Sequence, residues 1–160
     1  MNKGERISRF VRELGQEEAD LKTLLLEEHP FYRAFFRCWN ERRYYEAHDV
    51  LEQLWLKTNL PDANYFKGLI QAAGAFVHLQ KHFQQPAHPK HGRRLQPAVR
   101  LFQLAEKNLA PYAPVCHALD VSALLELLRT EREKIVHSDF RMNPWSPEHA
   151  PKLELSPGKN

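Results

Sequence analysis

The sequence predicts an all-α protein, a compact single domain of about five to six helices built on a helical hairpin with a long central helix. Apolar residues recur three and four positions apart in several segments, which is the spacing of a helix face, and no segment shows the alternation of a half-buried strand. With 160 residues, of which 42% are hydrophobic, the chain is long enough to bury one core without disulfides or a structural metal.

The first helices are predicted in an N-terminal helical extension, residues 1–29, in which Gly15 interrupts the apolar pattern. A helical hairpin follows. Pro30 suits the first turn of its first helix, and residues 40–43 interrupt the pattern before its second helix. Because this connection is short, the two helices should pack against each other.

The central helix is predicted after a turn at residues 59–62 and continues to about Phe83. It is apolar around most of its circumference, so other helices should surround it. Gly68 and Gly74 within it each cost about 1 kcal/mol of helix stability relative to alanine. They therefore predict a close approach of another helix or of a ligand.

The C-terminal part should contain two more helices. One follows a proline-containing loop at residues 84–92 and ends before Pro111, and Asp120 is a suitable N-cap for the last, amphipathic helix. The helical core domain is thus predicted at residues 30–137.

The remaining residues, 138–160, are rich in proline and have no periodic pattern. We expect a C-terminal tail that is held at the surface by Phe140 and Trp145 and is otherwise mobile.

Composition excludes several classes of protein. Cys38 and Cys116 lie far apart without a C-x-x-C pair, which argues against a zinc ribbon or a disulfide scaffold and indicates packed thiols. Charges occupy the place where a signal peptide needs an apolar core, and no apolar run approaches the roughly 20 residues that span a bilayer. We expect a cytoplasmic protein with no membrane contact. A net charge of +3 is too small to imply nucleic acid by itself.

A polar face is predicted on the second helix of the hairpin, where residues 44–55 read YYEAHDVLEQLW. At about 100° per residue, His48 and Glu52 lie about 40° apart, and Trp55 lies about 20° from His48. Asp49 is rotated about 100° away from His48. His48 and Glu52 therefore form the expected pair.

The central helix should complete this polar face. If it runs antiparallel to the second hairpin helix about a turn near residue 60, Glu52 lies opposite Lys67 or Gly68, and His48 lies opposite Gln71 or Ala72. This register predicts a polar pocket between the two helices that binds a small ligand or a divalent metal. Lys67, Gln71 and Trp55 are then the ligand-binding residues. In an enzymatic version, hydrolytic or proton-transferring, His48 is the catalytic base, Glu52 orients it and Lys67 holds an anion.

The segments NERRYYEAHDVLEQLW and YFKGLIQAAGAFVHLQK together resemble the family known as domain of unknown function 309, whose members carry an E-A-H-E-x-x-E-x-x-W helix and a G-L-I-Q-x-A helix. The resemblance extends over roughly residues 30–135, and Asp49 stands where the family usually has Glu. It implies a compact all-α fold with a helical-hairpin core, and it implies no established activity. The family motif corresponds here to Glu46, Ala47, His48, Glu52, Trp55, Gly68, Leu69, Ile70, Gln71 and His78.

Three alternative interpretations of the sequence remain open. In the first, His48 and Glu52 only fix the geometry of a helical hairpin that serves as a protein-interaction module; because no second copy follows at a fixed period, a solenoid is excluded. In the second, the basic region at residues 81–100 contacts RNA, although we interpret it mainly as a solvated face.

The third alternative places a metal among the histidines. His78 and His82 have the i, i+4 spacing that can clamp a divalent ion, and His88 and His91 follow in the loop that spans residues 82–91. The identity of a metal cofactor and the association of copies of the chain into a homo-oligomer are left open by the sequence.

Overall fold

A computed structural model describes residues 25–57 and 62–157 of the chain. Five α-helices account for most of these residues: α1 Pro30–Asn40, α2 Tyr44–Lys57, α3 Ala63–Gln84, α4 Leu95–Leu109 and α5 Val121–His137. The predicted all-α fold is confirmed. Most of the predicted N-terminal extension and most of the predicted turn before the central helix lie outside the described residues.

The hairpin of α1 and α2 forms where the sequence predicts it. His29 caps α1, because its Nδ1 accepts a hydrogen bond of 3.0 Å from the backbone N–H of Phe31, and Pro30 is the first helical residue. Arg42 turns the chain between the helices with φ of 61°. The buried face of α1 is largely aromatic and consists of Phe31, Tyr32, Ala34, Phe35, Phe36, Cys38 and Trp39.

Helix α3 is the centre of the bundle, as the sequence predicts. The ring of Phe76 lies 4.8 Å from that of Trp39 on α1, 5.4 Å from that of Tyr44 on α2 and 5.5 Å from that of Phe102 on α4, measured between centroids. One residue of α3 thus contacts three other helices. Neither α3, with its 22 residues, nor any other helix in the described ranges combines the length and the hydropathy of a membrane span.

The two glycines of α3 allow α4 to approach closely. A Cβ atom at Gly68 would lie 2.6 Å from Cγ of Leu109 and 3.3 Å from Cβ of Asn108, and one at Gly74 would lie 3.1 Å from Cδ1 of Leu101. The prediction that another helix approaches these positions is confirmed.

A short β-hairpin precedes α5 and was not predicted. Strand β1, Val115–Cys116, pairs antiparallel with β2, Leu119–Asp120, and two residues are too few to show the alternation by which a strand is recognised. Asp120 then caps α5 as expected, since its Oδ1 accepts a hydrogen bond of 2.9 Å from the backbone N–H of Ala123.

The segment after α5 packs against the hairpin of α1 and α2 through Trp145, Pro151 and Leu153, and the backbone N–H of Ser156 donates to the carbonyl of Ala118. The attachment through Trp145 agrees with our expectation, whereas the contacts at residues 151–156 differ from the mobile tail that we expected. Trp145 is 3% exposed and donates from Nε1 to the hydroxyl of Tyr44 over 3.0 Å. Asn40 forms two hydrogen bonds with the backbone of Leu153, of 2.8 and 2.7 Å, and Trp39 donates to the carbonyl of Pro151. The buried indole of Trp39 and the half-buried amide of Asn40 therefore use the segment as their hydrogen-bond partner. The domain boundaries remain predictions.

Substitution of Gly68 by alanine should destabilise the fold by up to about 2 kcal/mol, because overpacking against the buried Leu109 costs about 1–3 kcal/mol and the gain in helix propensity offsets about 1 kcal/mol. Gly74→Ala is the matched control, since it meets only the end of one Leu101 side chain at 3.1 Å. Urea unfolding of both variants tests this. A Gly68→Ala variant as stable as Gly74→Ala would contradict the close approach of α4.

Trp145→Ala should lower the free energy of unfolding by about 3–5 kcal/mol, as expected for truncation of a buried aromatic side chain. Met142, which is 46% exposed in the same segment, provides the control, and Met142→Ala should change stability by no more than about 0.5 kcal/mol. Thermal or urea unfolding gives both values. Similar stabilities for the two variants would mean that the segment is not docked in solution.

Candidate functional site

The motif helix α2 divides its residues between the core and a polar group. Its apolar residues Ala47, Val50, Leu51 and Leu54 are at most 2% exposed. The side chains of His48, Asp49 and Glu52 are 30%, 14% and 41% exposed, so they lie where the packed surface of the helix meets solvent. We call these three residues the α2 polar group.

His48 lies between the two carboxylates of this group. Its Nδ1 is 2.8 Å from Oδ1 of Asp49, and its Nε2 is 3.6 Å from Oε2 of Glu52. Because a carboxylate oxygen accepts, Nδ1 must carry the proton. The imidazole is thereby held by Asp49, and Nε2 is presented on the side of Glu52.

The predicted pair of His48 and Glu52 does come together, but the shorter contact of His48 is with Asp49. The prediction used the directions in which residues leave an ideal helix, and by that criterion adjacent residues do not face each other. Rotation about the side-chain bonds of His48 and Asp49 brings their ends together all the same. Helical spacing alone gave no signal for this contact.

Asp49 has a buried oxygen with no hydrogen bond. Its Oδ2 has no partner among the residues that the structure describes, although buried polar atoms are normally paired and an unpaired one costs stability. The ligand atoms offered by His48, Asp49 and Glu52 lie within 4.8 Å of one another. Such a group can hold a cation, and without one it can act as an oriented base.

The residues expected from α3 are arranged differently. Gln71 accepts a hydrogen bond of 2.7 Å at Oε1 from Nδ2 of Asn108, so its amide joins α3 to α4, whereas the predicted register placed it opposite His48. Lys67 is exposed. Trp55 is partly buried and packs against the core. The ligand-binding roles of these three residues remain predictions.

The histidines at the end of α3 surround an arginine. Arg94 donates from its guanidinium to Nδ1 of His78 over 3.1 Å and to Nδ1 of His91 over 2.6 Å. Its backbone N–H donates to Nδ1 of His82 over 3.4 Å, and Nδ1 of His88 accepts from two backbone N–H groups. All four Nδ1 atoms are therefore engaged by protein donors, and a positive side chain occupies the place that the four-histidine hypothesis gives to a metal.

Burial and the neighbouring Arg94 lower the pKa of His78 to about 4, and burial lowers the pKa of His82. Both act as neutral acceptors at neutral pH. Of the basic region, Lys90, Arg93 and Arg100 are exposed, while Arg94 has turned inward. Fewer cations therefore face solvent than the sequence of the region suggests.

One segment of the chain is similar to a known protein family. Residues 32–88 match the model of a family described as Domain of unknown function (DUF309). The matched range covers most of α1 and all of α2 and α3 and includes both motif segments, so the predicted resemblance is confirmed there. No match was found among curated proteins or among solved structures. The description of DUF309 assigns no activity, and the function must be argued from the site.

Acidification from about pH 6.5 to about pH 4 should destabilise the fold through His78, whose pKa is lowered from 6.5 to about 4. In this window the unfolded chain binds a proton at His78 that the folded chain does not bind, so the free energy of unfolding falls as pH falls, by at most about 1.4 kcal/mol per pH unit. The stabilisation that results from the lowered pKa of His78 is fully present above the pKa of this histidine in the unfolded chain.

Urea unfolding at several pH values measures this slope. In His78→Gln, which retains a hydrogen-bond acceptor for Arg94, the slope should be smaller than in the wild type. His137→Gln, at the exposed C-terminal end of α5, is the control and should keep the wild-type slope. Equal slopes in all three proteins would contradict the assignment to His78.

Proposed function

We propose that the α2 polar group binds a divalent metal ion and that the helical domain is the scaffold that presents it. The observation that carries the proposal is the buried Oδ2 of Asp49, which has no hydrogen-bond partner among the described residues and lies in a group whose ligand atoms are within 4.8 Å of one another. A cation would compensate this oxygen.

The contacts of His48 support a division of roles within the group. A ligating histidine commonly donates its other ring N–H to a carboxylate, which fixes its tautomer and raises its basicity. Asp49 at 2.8 Å from Nδ1 fits that orienting role. Nε2 of His48 and the carboxylate of Glu52, 3.6 Å apart, are then two of the ligands, and the unpaired Oδ2 of Asp49 is the third.

The donor set also limits the metal. One imidazole nitrogen with carboxylate oxygens suits zinc, manganese or iron better than a metal that prefers sulfur. With so few protein ligands, the ion would retain water, and a metal-bound water is a nucleophile for hydrolysis. Metal-assisted hydrolysis is therefore the enzymatic form of this proposal.

A purely structural role explains the same residues less well. If His48, Asp49 and Glu52 served only to fix the helix, each buried oxygen would be expected to have a partner. An unpaired carboxylate oxygen lowers the stability of the fold. Proteins commonly accept such a loss of stability where a group is needed for binding.

Removal of one ligand should weaken metal binding. We expect Glu52→Gln to reduce the affinity for Mn²⁺ at least about tenfold, because the charge and one oxygen donor of the site are lost. Glu46→Gln is the matched control: Glu46 lies on the same helix, and its carboxylate is 4.0 Å from Nε of Arg43. Titration of metal-free protein, followed by the loss of the electron paramagnetic resonance signal of free Mn²⁺, measures both affinities.

The Glu46→Gln control distinguishes binding at a specific site from a general attraction of Mn²⁺ to negative charge. Binding that is retained in Glu46→Gln and lost in Glu52→Gln supports the proposal. Equal weakening by the two substitutions would show that only the overall charge attracts Mn²⁺, and a wild-type protein that binds no Mn²⁺ would refute the proposal.

A further inference from the structure

A second cluster of metal-ligating residues lies at another part of the bundle. It joins Asp62 before α3 to Cys116 and His117 of the β-hairpin, and ligand atoms of these three residues lie within 4.8 Å of one another. Glu27, in the turn before α1, adjoins them. We call these four residues the hairpin cluster. None of them belongs to the α2 polar group.

The imidazole of His117 lies between two carboxylates. Its Nε2 is 2.6 Å from Oδ2 of Asp62, and its Nδ1 is 3.8 Å from Oε2 of Glu27. Glu27 lies on the side of Nδ1, where a carboxylate would orient a ligating histidine through its other nitrogen, and a shortening of this 3.8 Å distance would make the hydrogen bond. The Asp62 contact is a hydrogen bond, and an ion bound by both of these atoms would replace it.

Two buried tyrosines fix the backbone of the hairpin cluster. The hydroxyl of Tyr32 donates to the carbonyl oxygen of His117 over 2.8 Å, and the hydroxyl of Tyr65 donates to that of Cys116 over 3.3 Å. The two hydroxyls are 2.6 Å apart, and both side chains are fully buried. The ligand-bearing residues are thus anchored to the core.

The hairpin turn places Cys116 and His117 beside each other at a conformational cost. His117 and Ala118 have φ of 46° and 65°, a region that a non-glycine residue enters at about 1–2 kcal/mol and that such turns usually fill with Asn-Gly. Retained strain of this kind is often found at binding sites.

The charge of the cluster favours a cation. The carboxylates of Asp62 and Glu27 adjoin the imidazole of His117, and the thiol of Cys116 lies in the same cluster. A divalent ion would offset the negative charge of these two carboxylates.

We propose that Asp62, Cys116 and His117 bind Zn²⁺, with Glu27 orienting the imidazole. Thiolate, imidazole and carboxylate are the donors that zinc prefers, and three protein ligands leave the fourth tetrahedral position to water. On binding, Cys116 loses its thiol proton to solvent and forms the sulfur–zinc bond. The 2.6 Å contact between His117 and Asp62 opens to the roughly 3.3 Å that separates two ligands of a tetrahedral zinc ion.

Cobalt substitution tests this site and separates it from the α2 polar group, which contains no sulfur. Metal-free protein titrated with Co²⁺ should develop the near-ultraviolet charge-transfer absorption of a thiolate-bound cobalt ion. Cys116→Ala should abolish this absorption. Cys38→Ala removes the other cysteine, which is fully buried in α1. This variant and Glu52→Gln should both retain the charge-transfer absorption.

Thermal unfolding gives an independent readout. Saturating Zn²⁺ should raise the melting temperature of the wild type and of Cys38→Ala but not that of Cys116→Ala. If Cys116→Ala does not fold, Asp62→Asn is the alternative variant, because it keeps the thiol. It should bind Co²⁺ at least about tenfold more weakly than the wild type does. No charge-transfer absorption in the wild type, an absorption that persists in Cys116→Ala, or unchanged affinity in Asp62→Asn would each overturn the proposal.

Discussion

The need to cover α3 on nearly every side determines the rest of the structure. A helix of 22 residues that is apolar around most of its surface cannot remain in water, so α1, α2 and α4 pack around it. Phe76 contacts aromatic residues on all three. Gly68 lets α4 approach closely. Trp145, in the segment after α5, covers the part of α3 that the hairpin leaves exposed. Each neighbouring helix is thereby fixed in position and rotation.

The fixed rotation of α2 is what creates its polar group. Because Ala47, Val50, Leu51 and Leu54 must face the core, the other side of the helix emerges at the edge of the packed surface, where His48, Asp49 and Glu52 lie. A carboxylate at this edge is buried enough that an oxygen without a partner lowers the stability of the fold. It is also exposed enough for an ion to reach it from solvent. The hydrophobic pattern and the proposed site therefore follow from one helix orientation.

Local signals in the sequence predicted the helices well, because Pro30 and Asp120 act on their own helix ends and Gly68 reports directly on close packing. Contacts between distant segments had no comparable signal. Nothing near Gln71 indicates that Asn108 is its partner, and apolar spacing does not reveal how side chains rotate at Asp49. The hairpin cluster was missed for the same reason, since Asp62 and His117 meet across 55 positions of the chain.

The central claim is that the Asp49 carboxylate is retained to hold a cation and not to stabilise the fold, and the unfolding free energy of Asp49→Asn tests it most directly. With chelator present, we predict that the variant is at least as stable as the wild type, because the amide oxygen can still accept the hydrogen bond of His48 while the charge that leaves Oδ2 without a partner is removed. With Mn²⁺ at about one hundred times its dissociation constant, the wild type should gain about 2.7 kcal/mol and the variant much less. A loss of several kcal/mol in chelator, with no gain from Mn²⁺ in the wild type, would contradict the account.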